Sequence, residues 1–239
     1  MNSSGVMLSV VIPAFNEERR IGESLKKIMA FLGAQPYRSE IIVADDGSRD
    51  GTVALCENTL KNFSHKIIRN TENHGKGFVV RQGMMLGDGE YLLFTDADLS
   101  TPIEEVTGFI AALQQGYDVV IGSRDLETSK VEIHQNLLRE GMGKAFNLFA
   151  RAMSFKGIAD SQCGFKCFKR EVARDLFGRQ KLDGFSFDAE ILYLAQKRKY
   201  RILEAPVVWR NSFQSRVKLL RDPLNMLIDL MRIRWIHRS

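Results

Sequence analysis

The chain has few cysteines and no long apolar run. These absences argue against a zinc-binding, disulfide-bonded or membrane-spanning protein. Its 239 residues include three cysteines, whose spacing does not fit a zinc site. So few cysteines suit a reducing compartment better than a disulfide-stapled extracellular one. No stretch of about 18 apolar residues occurs, so we expect no membrane-spanning helix and a cytoplasmic location.

The sequence also lacks any segment that would divide it. No linker rich in Gly, Ser or Pro, no low-complexity tract and no internal repeat interrupts it, so we expect one domain over residues 1–215. No helix-turn-helix, zinc-finger or aromatic-rich RNA-binding signature accompanies the net charge of +5, so we predict no nucleic-acid partner. The basic excess suits an anionic membrane surface or a phosphorylated substrate instead.

What the sequence does contain is an alternation of short apolar runs with stretches of helical periodicity. Five runs read as strands: 8–12, 40–44, 65–69, 91–95 and 118–122. Between the first two, Ile21, Leu25, Ile28 and Leu32 recur at helical spacing. The alternation predicts an α/β fold with a mostly parallel sheet flanked by helices. In such sheets, ligands bind outside the carboxyl ends of the strands.

Two aspartates follow the fourth predicted strand. Asp96 and Asp98 stand one residue apart, so on an extended chain they point to the same side. Together they could hold one hard divalent cation and leave coordination sites for a diphosphate, although a solvated turn with two acids is the alternative. Four more polar residues lie just past strand ends: Asn16, Asp45, Asp46 and Lys76. We expect all six to share one cleft.

Two helix starts are also predicted from local pattern. Asn16 follows the first strand and can cap the next helix. Residues 101–104, Thr-Pro-Ile-Glu, combine a capping threonine, a proline at the first helical position and a capping-box glutamate. The positive end of that helix would point towards the aspartate pair.

Taken together, the motifs resemble a known family. The stretches VVIPAFNEE, VADDGSRDGT, NHGKG, TDADLSTP and IGSR, in this order and spacing, resemble the family 2 inverting glycosyltransferases with the GT-A fold. In the second half, GIADSQCGFKCF and FSFDAE are similar to the branch that acts on polyprenyl phosphates. The resemblance covers about residues 7–220. It implies a Rossmann-like GT-A domain with a mostly parallel mixed sheet flanked by helices.

The resemblance also implies a donor site for a UDP-sugar. Asp96 and Asp98 would bind Mg²⁺ or Mn²⁺, and Asp96 would also lie against the nucleotide-sugar. Asp45 matches the position that receives the uracil N–H, with Asp46 as the alternative. The remaining donor contacts would come from Pro13, Ala14, Asn16, Glu17 and Lys76. Asn16 could be only a helix cap, and Lys76 only a solvated lysine.

For the acceptor, the resemblance implies a polyprenyl phosphate. Holding its dianion beside a diphosphate requires cations, for which Arg124, Arg139 and Arg216 are the candidates. The alternative for Arg124 is a surface ion pair with Asp125. Asp160 and Asp188 lie in family-like motifs, so together with Arg124 they are candidate catalytic residues of open role. The sequence FDAE stands where many members carry Glu-Asp, which puts a general base in doubt and suits a phosphate acceptor. A saccharide acceptor, or a silent nucleotide-sugar-binding protein, is the alternative.

The tail, residues 216–239, mixes large apolar residues with arginine and lysine. This composition is typical of an amphipathic helix that lies on a membrane surface. A helix packed on the domain, with its arginines reaching into water, is the alternative. We therefore expect a basic C-terminal helix that holds the protein peripherally on the cytoplasmic face of an anionic membrane.

Overall fold

A single mixed sheet forms the centre of the molecule. The structure is a computed structural model that describes residues 5–133, 157–210 and 221–238. The strands are β1 (Val6–Ala14), β2 (Arg38–Asp45), β3 (His65–Arg69), β4 (Tyr91–Thr95), β5 (Val119–Ser123), β6 (Lys130–Ile133), β7 (Phe165–Lys169), β8 (Ile202–Pro206) and β9 (Val208–Arg210). Seven of these described strands form the main sheet, in the order β3-β2-β1-β4-β7-β5-β8, and β6 pairs with β9 apart from it.

The main sheet is parallel except at β7. That strand runs antiparallel to both of its neighbours, β4 and β5, whereas every other pairing in the sheet is parallel. The predicted α/β fold with a mostly parallel sheet is confirmed. The predicted mixed character of the sheet is confirmed as well, but the sequence did not indicate which strand is antiparallel, because pairing direction depends on the path of the chain between the strands.

Helices cover both faces of the sheet. They are α1 (Ile21–Gly33), α2 (Thr52–Leu60), α3 (Lys76–Leu86), α4 (Val106–Gln114), α5 (Arg170–Arg179), α6 (Phe187–Lys197) and α7 (Arg221–Ile236). On β1, Val10 packs into one core cluster with residues of α1, α2 and α4. The next residue, Val11, packs into a second cluster with residues of α3, α5, α6 and α7. Strand residues alternate between faces, so a continuous apolar run such as β1 requires both faces to be buried.

Both predicted helix caps are wrong. Asn16 adopts a positive φ of 52°, and its side-chain oxygen accepts the Arg49 N–H at 2.8 Å, while α1 begins only at Ile21. Residues Ile103–Glu105 form a short 3₁₀ turn without a side-chain cap, and α4 follows at Val106. The Thr101 hydroxyl lies 4.0 Å from the Cys163 sulfur, so a tertiary contact replaces the local one.

The C-terminal helix packs on the domain by one face. Leu230 and Ile233 are fully buried in the second core cluster, whereas Met231 and Trp235 are 51% and 68% exposed. Within the described residues, none of the helices has the length and hydropathy needed to cross a bilayer. The predicted boundary between residues 215 and 216 lies outside the described residues, as do Arg139 and Arg216.

Candidate functional site

The carboxyl ends of three neighbouring strands bring the predicted acidic residues together. β1, β2 and β4 are adjacent and parallel, with Ala14 in register with Asp45 at the end of β1 and β2. The Asp46 N–H donates to the Ala14 carbonyl at 2.8 Å, which holds the two strand ends side by side. β4 ends at Thr95, so Asp96 and Asp98 leave the sheet at the same edge. This edge is where the fold places a ligand.

Each carboxylate of the Asp96/Asp98 pair lies against a basic side chain. Lys76 Nζ lies 2.6 Å from Asp96 Oδ1, and an Arg20 guanidinium nitrogen lies 3.5 Å from Asp98 Oδ2. The other oxygen of Asp98 accepts the Ser100 N–H at 3.1 Å and its hydroxyl at 2.9 Å. The pair is therefore held in a defined orientation and is partly neutralised by two cations.

The electrostatics of this cluster favour a cation. Burial raises the pKa of Asp98, and the neighbouring Asp96 carboxylate raises it further. Burial alone would lower the pKa of Lys76, but attraction from Asp96 and Asp188 outweighs burial and raises that pKa. Positive charge is thus stabilised among these carboxylates, as the contact between the Lys76 ammonium and Asp96 shows.

The donor set fits a hard divalent cation that is shared with a ligand. Aspartate oxygens are the ligands that Mg²⁺ and Mn²⁺ prefer. Among the described residues, no group of three or more His, Cys, Asp or Glu side chains surrounds one point as a complete metal site. A cation on Asp96 and Asp98 would therefore take its remaining ligands from water or from a bound phosphate. Such sharing with substrate phosphates is the usual way in which proteins hold Mg²⁺.

Gly164 sets the position of Asp96. A Cβ added at Gly164 would lie 2.0 Å from Asp96 Oδ2, so the carboxylate rests directly on the glycine backbone. Leu99, in the turn after the pair, has a positive φ of 49°, a conformation that is costly for a residue with a side chain. Both features indicate that this turn is specified by the surrounding structure.

Asp45 and Asp46 have different surroundings. Asp45 Oδ2 accepts the Ser48 N–H at 2.9 Å, and its other oxygen contacts the Ser48 hydroxyl. The carboxylate of Asp46 instead accepts the N–H groups of His74 and Gly75 at 2.8 and 2.9 Å and the Asn73 amide at 2.8 Å. Asp46 therefore shapes the turn from which Lys76 projects.

The first turn after β1 ties the remaining predicted donor residues together. The Asn16 N–H donates to the Ser48 hydroxyl at 2.8 Å, and the Glu17 N–H donates to the Thr52 hydroxyl at 2.7 Å. Glu17 is buried and forms a two-point ion pair with Arg20. Pro13 and Ala14 are the last two residues of β1, buried beside β2.

Asp188 lies in a buried ion pair that the sequence reasoning only half identified. Lys166 Nζ lies 2.5 Å from Asp188 Oδ1 and donates to the Cys163 carbonyl at 2.7 Å. Burial raises the pKa of Asp188, although Lys166 and Lys76 act against this rise.

Two basic residues of the site were not predicted from the sequence. Lys166 was missed because it stands inside the apolar strand β7. Arg20 was missed because its partner Asp98 is distant in sequence, although its spacing of three residues from Glu17 was a readable signal.

Asp160 and Arg124 form a second buried ion pair at the end of β5. The guanidinium contacts both carboxylate oxygens, at 2.6 and 2.9 Å, and stacks 5.5 Å from the Trp209 ring. Burial raises the pKa of Asp160, but attraction and hydrogen bonds from Arg124 outweigh burial and lower it to about 2. The described partner of the Arg124 guanidinium is thus the buried Asp160, in place of the alternative surface pair with Asp125.

Comparisons with known proteins agree with this geometry. The sequence pattern of "Glycosyl transferase family 2" matches residues 9–177. The dolichyl-phosphate beta-glucosyltransferase of Dictyostelium discoideum is 34% identical over 96% of this chain and 74% of its own length. That of Saccharomyces cerevisiae is 33% identical over 97% and 75%.

Solved structures show the same fold. Glucosyl-3-phosphoglycerate synthase from Mycobacterium tuberculosis, in complex with Mn²⁺, uridine diphosphate and glucosyl-3-phosphoglycerate, superposes with a TM-score of 0.69. The match covers 98% of this chain and 81% of that one, at 18% identity. The predicted GT-A fold is confirmed by this likeness and by the sheet topology. The chain belongs to glycosyl transferase family 2.

Proposed function

We propose that the protein transfers glucose from UDP-glucose to a polyprenyl phosphate of the dolichyl type, with inversion at the sugar. The observation that carries the proposal is the Asp96/Asp98 pair at the carboxyl end of β4, in a chain about one-third identical to dolichyl-phosphate beta-glucosyltransferases over nearly its whole length. In the reaction, an acceptor phosphate oxygen bonds to the anomeric carbon. The bond from that carbon to the donor diphosphate breaks, and UDP leaves.

Asp96 and Asp98 are proposed to hold Mg²⁺ or Mn²⁺ with the donor diphosphate. A bound divalent cation neutralises the charge that develops on the diphosphate leaving group. Lys76 contacts Asp96 in this structure and lies within range of Asp188, so it is placed to contact a donor phosphate as well. Arg20 lies against Asp98 and keeps that carboxylate oriented.

Asp45 is proposed to accept the uracil N–H. Among the described residues, its carboxylate is held only by Ser48, a residue in the same turn, whereas the Asp46 carboxylate already accepts three hydrogen bonds from the turn before Lys76. This difference supports Asp45 over Asp46 for the base. Pro13, Ala14, Asn16 and Glu17 would form the wall against which the nucleoside lies.

The acid residues favour a phosphate over a hydroxyl as the acceptor. A hydroxyl nucleophile needs a general base, but the carboxylates of Asp160 and Asp188 are both bound to cationic partners. Deprotonating a hydroxyl through either would first require breaking a buried ion pair. A phosphate monoester has a second pKa of about 6, so its oxygen is already largely anionic at neutral pH. Arg124, Arg139 and Arg216 remain the residues predicted to bind the acceptor phosphate.

The outer face of α7 is proposed to contact the membrane that carries the acceptor. Ile228, Met231 and Trp235 recur at helical spacing and are all exposed. Arg232 and Arg234 are exposed beside them. An apolar strip flanked by arginines suits the surface of an anionic bilayer. The protein would then act as a peripheral protein on the cytoplasmic face, with residues 216–239 as the membrane-binding segment.

Transfer of radiolabelled sugar tests the proposed activity. UDP-glucose, UDP-N-acetylglucosamine and GDP-mannose would each be offered with a water-soluble short prenyl phosphate or with dolichyl phosphate. We expect label from UDP-glucose to appear in the lipid product, and we expect EDTA or Asp98→Asn to abolish it. The fold of the variant would be checked by thermal unfolding. Transfer to a saccharide but not to any prenyl phosphate would contradict the acceptor, and full activity of Asp98→Asn in EDTA would contradict the metal site.

A further inference from the structure

An open cavity with basic walls lies away from the candidate catalytic site. It has a volume of about 460 Å³ and lies between the last turns of α5, α6 and α7. Four of its lining residues are basic: Arg179, Lys181, Lys197 and Arg198. Among the described residues that line it, none is acidic. The cavity is therefore large enough for a phosphate-sized group and carries an excess of positive charge.

Helix geometry accounts for only part of this charge. Basic residues are common in the last turns of helices, where they favour the helix dipole, and Arg179, Lys197 and Arg198 lie in or next to such turns. Arg179 and Arg198 also share one carboxylate, that of Asp175. Lys181, however, lies beyond the end of α5 and still faces the cavity. Two guanidinium groups on one carboxylate leave a net positive charge at the cavity wall.

The cavity adjoins the C-terminal end of α7. Ile236 and His237 line the cavity, and Trp235, the residue before them, is the most exposed large apolar side chain among those described. Near its middle, α7 lies beside the start of α6, where the Asp229 carboxylate accepts the Ser186 hydroxyl at 2.8 Å. Asp188 and Lys197 lie about 14 Å apart along α6. The exposed apolar strip from Ile228 to Trp235 thus runs from beside Ser186, two residues before Asp188, towards the basic cavity.

We propose that this cavity binds the phosphate headgroup of an anionic lipid while Met231 and Trp235 contact the apolar layer beside it. The proposal rests on the membrane-borne acceptor of the proposed function and names a second lipid contact that fixes orientation. With a headgroup held at the C-terminal end of α7, the exposed residues around Asp229, beside the start of α6, are brought to the bilayer. A helix surface alone would bind without fixing which end faces the acceptor.

Vesicle sedimentation with matched charge variants tests the proposal. The full chain and two double variants would be mixed with vesicles of phosphatidylcholine, with or without phosphatidylglycerol, and without prenyl phosphate or nucleotide. Arg179→Ala/Lys181→Ala removes two cations from the cavity and leaves Asp175 paired with Arg198 and Tyr200. Lys27→Ala/Lys61→Ala is the control and removes two exposed cations, one in α1 and one directly after α2. These two helices cover the other face of the sheet.

We expect the cavity variant to bind anionic vesicles about 30-fold more weakly and the control variant to lose no more than about threefold. Neutral vesicles should not distinguish the three proteins. Equal losses in both variants, or none in the cavity variant, would overturn the proposal. Glycerol phosphate would be titrated by calorimetry, and we expect no binding tighter than about 1 mM. Tight binding that the cavity substitution abolishes would make this a site for a soluble phosphate and overturn the lipid assignment.

Transfer to a water-soluble prenyl phosphate separates this proposal from the proposed function. The cavity variant should keep wild-type transfer rates in that assay, because its two substitutions lie away from the candidate catalytic residues. Loss of vesicle binding with normal soluble transfer supports both proposals. Normal vesicle binding of the cavity variant with normal transfer overturns only the headgroup site.

Discussion

At the scale of single residues, Gly164 decides where the Asp96 carboxylate can lie. The missing side chain leaves room for that carboxylate, since a Cβ there would overlap Asp96 Oδ2 at 2.0 Å. The glycine is not needed for its backbone angles, because it is not among the glycines with positive φ. Gly164 can therefore fix the position of a candidate metal ligand simply by leaving space for it.

Gly164→Ala should reduce transfer by at least about tenfold, because a displaced metal ligand typically costs 10- to 100-fold in metal affinity or activity. The metal concentration required for half-maximal rate should rise together with this loss. Gly108→Ala is the matched control, because a Cβ at Gly108, in α4, meets no atom within 4 Å. It should leave the rate unchanged. Wild-type metal dependence in Gly164→Ala would show that Asp96 does not need this position.

The Arg124–Asp160 pair makes a prediction about pH. Asp160 is fully buried and its pKa is lowered from 3.8 to about 2, so its contribution to folding is present above pH 4 and is lost as pH falls towards 2. That contribution is about 2 kcal/mol. In urea unfolding at stepped pH, Asp160→Asn should be less stable at pH 7 and should lose about 2 kcal/mol less than wild type between pH 4 and pH 2.

Glu23→Gln is the control for this pH series. Glu23 forms an exposed ion pair with Lys26 on α1, which contributes little to stability. The pH dependence of its unfolding should match wild type. If Asp160→Asn also follows the wild-type pH dependence, the pair does not hold Asp160 ionised in the folded protein.

At the scale of elements, α7 packs on the core by one face and is proposed to contact a membrane by the other. Its inner face completes the second core cluster through Leu230 and Ile233. It also reaches the candidate site indirectly, because His237 contacts Glu190 at 2.5 Å, and Glu190 accepts the N–H groups of Lys181 and Leu182 at 2.8 Å. The Leu182 carbonyl in turn packs against Gly77, next to Lys76. Removing the whole helix would thus disturb the core as well as the surface proposed to face the membrane.

Two adjacent residues of α7 distinguish its buried face from its exposed face. Leu230→Ala should lower the free energy of unfolding by about 2–5 kcal/mol, since it leaves a cavity in the core. Met231→Ala, one residue later on the exposed face, should change it by less than about 0.5 kcal/mol. Urea unfolding of both variants measures the difference. Equal effects would mean that α7 does not pack as described.

At the scale of the whole molecule, membrane contact and chemistry should be separable. Met231→Ser/Trp235→Ser removes two exposed apolar side chains and no charge. We expect it to lower transfer to dolichyl phosphate in vesicles by at least about tenfold, on the scale of the lost apolar burial. Transfer to a water-soluble prenyl phosphate should be unchanged. Met85→Ser/Leu86→Ser, which removes two exposed apolar side chains from the end of α3, serves as the matched control.

The rates of sugar transfer to the two acceptors decide whether α7 contacts the membrane. A fall with both acceptors would place Met231 and Trp235 in folding or catalysis instead of membrane contact. A fall with neither would leave α7 as a packed helix with no membrane function. Thermal unfolding of each variant shows whether a fall with both acceptors comes from lost stability.

The local sequence pattern was sufficient to predict those features of the fold that have a local physical cause. The apolar runs that became β1, β2 and β4 could be recognised because strands buried on both faces are continuously apolar. The same reasoning located Asp45, Asp96 and Asp98, since residues that follow parallel strands must meet at one edge. It failed for the caps at Asn16 and Thr101, where a tertiary hydrogen bond or contact replaced the local one.

The sequence by itself determined the α/β class, the order of the strands along the chain and the edge at which the acidic residues gather. Only the tertiary structure decided which charges pair. Lys166 with Asp188, Arg124 with Asp160 and Arg20 with Asp98 are each separated by many residues. The physical reason is that a buried charge needs a partner within a few ångströms, and the fold, not the spacing in the chain, sets that distance.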